Sequence, residues 1–131
     1  SEGWLDIKKG HCAWFGIECV RGDMEISLNN NKLKGTLTPE IFMIPHVTKI
    51  NLESNTLSGT IPSSVGLANH LEYIYFKYNQ FSGTIPNTIS NLKKLEVFSI
   101  RDTRLSGTIP KDIGECVSLG ESQLFVLLFF Q

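Results

Sequence analysis

One register of apolar residues recurs every 24 residues along this chain, and nothing else in it restricts the possible folds so tightly. Ile26-x-Leu28 returns as Ile50-x-Leu52, as Ile74-x-Phe76 and as Phe98-x-Ile100. Behind each pair come Leu33, Leu57, Phe81 and Leu105, then Gly35, Gly59, Gly83 and Gly107, then Leu37, Ile61, Ile85 and Ile109. A fixed period of this size belongs to a solenoid, in which every coil buries its apolar side against its neighbours. Such a molecule presents a broad surface and not a deep catalytic pocket.

The alternation within each repeat has the period of a strand. Ile26/Leu28, Ile50/Leu52, Ile74/Phe76 and Phe98/Ile100 therefore point inward, and four strands stack as a parallel sheet about 4.8 Å apart. Asn31, Asn55 and Asn79 follow at one position, where a buried amide can bond the backbone of the neighbouring coil. Thr103 holds that position in the fourth repeat, so the ladder is expected to end or loosen there. The glycines answer a need for positive φ or close backbone approach. Pro62, Pro86 and Pro110 shape the next bend, with Thr38 in the first repeat. The expectation is an α/β solenoid with a parallel concave sheet and short helices or 3-10 turns on the convex side.

At 131 residues the chain is one domain, and a formal net charge of -1 without a basic stripe argues against nucleic acid as a partner. The apolar run Leu124–Phe130 is too short to span a membrane. Ser1-Glu2-Gly3-Trp4 lacks a signal-peptide pattern and reads as a mature or trimmed end. The three cysteines do not have zinc-site spacing. A Cys12–Cys19 disulfide is the better reading and implies an oxidising compartment. Cys116 shares the repeat slot of Ile44, Ala68 and Leu92, as a free buried thiol would.

These residues resemble the leucine-rich repeats of the plant-type extracellular class, whose unit is Leu-x-x-Leu-x-Leu-x-x-Asn-x-Leu-x-Gly-x-Ile-Pro. Leu95-x-x-Phe98-x-Ile100 through Leu105-x-Gly107-x-Ile109-Pro110 matches it except at Thr103. Cys12-Ala13-Trp14-Phe15-Gly16-Ile17-Glu18-Cys19 resembles the N-terminal cap of that class, which carries a disulfide and a packed Trp. The resemblance implies a secreted or cell-surface protein, receptor-like or inhibitor-like, that recognises a protein or peptide. It divides the chain into a cap at 1–22, four repeats at 23–119 and an apolar segment at 120–131. That last segment is either a cap over the final coil or a truncated fifth repeat. An edge strand there would pair with a second copy.

On the concave face the outward positions form columns. One runs Glu25, Lys49, Tyr73, Val97; the next Ser27, Asn51, Tyr75, Ser99; the third Asn29, Glu53, Lys77, Arg101; the fourth Asn30, Ser54, Tyr78, Asp102. Tyr73, Tyr75 and Tyr78 gather on one repeat beside Lys49, Glu53, Lys77, Arg101 and Asp102, and Tyr and Arg are favoured at binding hot spots. A solvated sheet face with chance aromatics is the plainer reading. A second regularity pairs Thr36, Thr60, Thr84 and Thr108 with Ser58, Ser82 and Ser106. If both sets face outward they form hydroxyl rows about 7 Å apart, the kind of array that matches an ice lattice. The plainer account is that hydroxyl residues suit an exposed extended segment. A structural fragment without a ligand of its own is the remaining alternative.

Catalysis finds no support. His11, His46 and His70 share no nucleophile motif, and the acids stand singly. The glycines follow the repeat and do not form a phosphate loop. No metal or cofactor is expected. Arg21-Gly22-Asp23 reads as a turn between cap and first repeat.

Overall fold

In a computed structural model the described residues are 15–115. The chain winds as a solenoid with two sheets: the first three coils contribute a strand to each, and the fourth contributes to the larger alone. The larger has the order β1-β2-β4-β6-β8 and is built from Ile17–Val20 (β1), Asp23–Ser27 (β2), Val47–Asn51 (β4), Tyr73–Tyr75 (β6) and Val97–Ser99 (β8). The smaller joins Lys34–Thr36 (β3), Thr56–Gly59 (β5) and Gln80–Phe81 (β7). Only the first was anticipated. The second arises because the Ser/Thr/Gly segment of each coil is extended and lies against its equivalent.

β1 pairs with β2 antiparallel; the other contacts of the large sheet are parallel. The hairpin turns on Arg21 and Gly22, with φ of 54° and 92°. Two consecutive positive values are what a two-residue turn matched to strand twist requires. The Arg-Gly-Asp sequence is thus accounted for by the hairpin.

The convex connections are four 3-10 segments, Pro39–Met43, Ser63–Leu67, Asn87–Asn91 and Lys111–Glu115, and the described residues contain no α-helix. Five residues between a bend and the next strand are too few for a stable α-helix. Each segment still inserts an apolar residue: Phe42, Val65, Ile89 and Ile113 are buried. They meet the inward strand residues Ile26/Leu28, Ile50/Leu52, Ile74/Phe76 and Phe98/Ile100 in one continuous core. Phe76 and Phe81 add a ring contact at 5.3 Å.

Two devices join the coils. In the first, Asn55 reaches back one coil. Its Oδ1 accepts from the backbone N–H groups of Asn31 and Leu33, both at 3.0 Å. Its Nδ2 donates to Leu28 O and Leu52 O, both at 2.9 Å. Asn79 repeats the pattern on Leu57 N, Leu52 O and Phe76 O. Both amides are buried, at 7% and 6% exposure. Asn31 corrects the expectation of a buried amide at this position: it is exposed, and its Nδ2 turns to Asn29 O. The bonding runs toward the preceding coil, and Asn31 has the antiparallel hairpin there instead. At Thr103 the hydroxyl donates to Ile100 O within its own coil, so the amide ladder does not continue.

In the second device a threonine methyl lies over the next coil's glycine. A Cβ on Gly59, Gly83 or Gly107 would sit 2.9, 3.0 or 2.9 Å from Cγ2 of Thr36, Thr60 or Thr84. These glycines also hold φ of 77°, 77° and 83°. Of the two needs expected of the position, left-handed backbone is met, while the close neighbour is a threonine side chain and not backbone.

Cys19 is disulfide-bonded. Its expected partner Cys12, the thiol of Cys116 and the apolar segment 120–131 lie outside the described residues.

Candidate functional site

The outward face of the large sheet is ordered by the register of its strands. Glu25 stands beside Lys49, Lys49 beside Tyr73, and Tyr73 beside Val97. Ser27, Asn51, Tyr75 and Ser99 form the neighbouring column. The third column is held past the strand ends by backbone bonds, Asn30 N–H to Glu53 O, Ser54 N–H to Lys77 O and Tyr78 N–H to Arg101 O.

Charges on this face neutralise one another. Lys49 Nζ lies 3.5 Å from a Glu25 carboxylate oxygen, and Lys77 Nζ lies 3.4 Å from one of Glu53. Arg101 Nε pairs with Asp102 Oδ2 at 3.1 Å. Solvated pairs like these add little stability. Their effect is to pair the lysines that flank the tyrosines, while Glu96 and Glu72 keep negative charge beside Tyr73.

The three tyrosines differ. Tyr73 donates its hydroxyl to Glu96 Oε2 at 2.9 Å, one coil on. That hydrogen bond, then the negative charge of Glu96, hold its phenol above the usual tyrosine range. Tyr73 is therefore fixed in orientation and stays neutral. Tyr75 is half-buried on the same face, between Asn51 and Ser99. Tyr78 lies beyond the strand end, 44% exposed, with Lys77 Nζ 5.6 Å from its ring centre.

Tyr78 also has φ of 57°. The left-handed conformation is a property of its repeat position, since Asn30, Ser54 and Asp102 have φ of 53°, 57° and 54°. Three of those four residues are small and polar, types that tolerate it; a bulky aromatic does so poorly. The strand face thus unites Lys49, Tyr73 and Tyr75, while Glu53, Lys77, Tyr78, Arg101 and Asp102 lie past the strand ends as its rim. Glu25, which heads the first column read from sequence, and Glu96, which the sequence reading does not name, complete the arrangement. Their signal was adjacency, because each lies about one repeat from its partner.

Of the lateral hydroxyl residues, Thr36 and Ser58 lie in the small sheet, and Thr60, Ser82, Thr84, Ser106 and Thr108 lie outside its strands. Thr36, Thr60, Thr84 and Thr108 are exposed. Ser58 and Ser106 turn their hydroxyls back toward Gly35 O and Gly83 O, both at 3.4 Å, and Ser82 is half-buried. Thr36 pairs with Ser58, and Ser58 with Gln80. Strand partners here are thus not repeat equivalents, and the rows run skewed.

Among the described residues no group of three or more His, Cys, Asp or Glu converges as a metal site. None of their helices is long and apolar enough to cross a membrane.

Residues 46–67, 70–92 and 94–116, more than half of the chain, match the family model described as Leucine Rich Repeat. Among solved structures, PEPR1-AtPEP1 is similar at 33% identity and a TM-score of 0.78, over 82% of this chain and 16% of that one. The plant peptide hormone receptor RGFR1 in complex with RGF2 is similar at 30% identity and a TM-score of 0.69, over 82% and 20%. The BIR2 ectodomain from Arabidopsis thaliana is similar at 25% identity and a TM-score of 0.76, over 82% and 59%. The chain spans less than two thirds of each. Among curated proteins no relative matches.

Proposed function

The chain belongs to the leucine-rich-repeat family, and from that premise we propose that it is an extracellular, receptor-like recognition module that binds a protein or peptide on its concave sheet. The module is non-catalytic and acts by surface complementarity. One observation carries this reading: Tyr73 and Tyr75 stand side by side on β6, the first pinned by Glu96, with the neighbouring lysines paired to acids. Aromatic groups held in place lose little freedom on binding, and lysines already paired to acids present less unpaired positive charge to desolvate. The similarity to a peptide hormone receptor solved with RGF2 supports a peptide or a protein segment as the ligand class. It also supports a position at the cell surface.

Tyr75 is the anchor and Lys77 the polar contact at its edge. The test uses peptides selected from a random display library on the intact protein. Tyr75→Ala and Lys77→Glu are expected to weaken the selected peptides by roughly tenfold or more each. Stability should stay within about 0.5 kcal/mol, as for surface changes generally. Peptides whose affinity ignores both substitutions would remove the concave face from consideration.

A further inference from the structure

The face where the 3-10 segments return to the strands carries a feature that concave recognition does not use. His46 precedes β4, and His70 occupies the same position one coil later. Their rings approach to 5.2 Å between centres, with planes tilted by 43°. Both line a surface cavity of about 400 Å³ together with Met43, Pro45, Leu67 and Asn69. Among the described residues lining it none is a Lys, Arg, Asp or Glu.

His46 is not placed there by chance rotation of a loop. Its backbone has φ of 59°, and its carbonyl accepts from Met24 N–H at 2.8 Å. The turn that starts β4 is tied to β2 and presents the imidazole beside the next coil. The solenoid then brings His70 alongside. Lys94 follows in the next register position, so the imidazole column has two members.

We propose that His46 and His70 form a two-imidazole site for a divalent transition-metal ion of the zinc class. Neutral imidazole is the commonest protein ligand for such ions. Two imidazoles sharing one tetrahedral ion through bonds of about 2.0 Å place their ring centres roughly 5 Å apart, close to the observed spacing. Water completes the coordination from the open side of the cavity. With two protein ligands the site is a weak, exchangeable one, unlike a closed structural zinc site. The concave face does not contribute to it, so the proposal stands apart from the recognition function.

The test titrates the full chain with zinc chloride by calorimetry, with magnesium as a control, and follows the histidine ring signals by NMR. The substitutions are His70→Gln and His46→Asn, the latter because Asn tolerates the left-handed backbone. The expected result is one zinc per chain, shifts of both His46 and His70 signals, and no magnesium binding. Each substitution should weaken zinc by at least the roughly tenfold that loss of a mere outer-shell partner costs. Absence of saturable zinc binding overturns the proposal. So does zinc binding that survives both substitutions, moves only His11, or is matched by magnesium.

Discussion

In the large sheet the coils stack equivalent on equivalent past a shift at Met24: Lys49 beside Tyr73, Asn51 beside Tyr75. In the small sheet they do not, since Thr36 lies beside Ser58 and Ser58 beside Gln80. The outward side chains follow suit. On the large sheet they meet one another, as ion pairs and as the Tyr73–Glu96 bond. On the small sheet they turn to the backbone, with threonine methyls on glycines and serine hydroxyls on carbonyls. The small sheet is a seam that holds the coils together. The large sheet leaves its outer positions free of that task, and variation there can carry recognition.

The comparison can be broken at the seam. Asn55→Ala takes the amide partner from two N–H groups and from the Leu28 carbonyl of the coil junction, and leaves Leu52 O with the Asn79 amide alone. A loss of about 3 kcal/mol is expected in urea unfolding. Asn31→Ala, in the same column but exposed, should cost under about 1 kcal/mol. Equal losses at the two sites would contradict the directional ladder.

Gly83→Ala tests the second device. It forces a Cβ against Thr60 on left-handed backbone, at a cost of about 1–2 kcal/mol. In a double-mutant cycle, Thr60→Ser should recover part of that loss by removing the methyl. Simple additivity would show that the methyl contact is unimportant.

Tyr78→Asn sharpens the other side of the comparison. An Asn suits the backbone at this position, and a gain of about 0.5–1 kcal/mol in stability is expected. If Tyr78 serves the rim of the binding face, affinity for selected peptides falls while stability rises. A stability loss instead would mean that the ring packs in a way its exposure does not suggest.

Much of the architecture was legible because a 24-residue register repeats the same instruction four times. The inward residues Ile50, Leu52, Ile74 and Phe76 could be read from alternation alone. The small sheet could not, because Ser58-Gly59-Thr60 has no apolar alternation to mark a strand. The exposure of Asn31 was hidden because its repeat position equals that of Asn55; only the direction of bonding separates them. The columns of the candidate face followed from the register. What stayed out of reach was side-chain direction: Tyr73 toward Glu96, and Tyr78 beyond the strand on left-handed backbone.

The central claim is that recognition belongs to the concave face and not to the lateral seam. Hydrogen exchange of the intact protein, with and without a library-selected peptide that binds it, tests this most directly. Added protection is expected at residues 47–51, 73–78 and 97–102, with none at 34–36, 56–60 or 80–84. Protection confined to the second set would assign recognition to the seam and contradict the account.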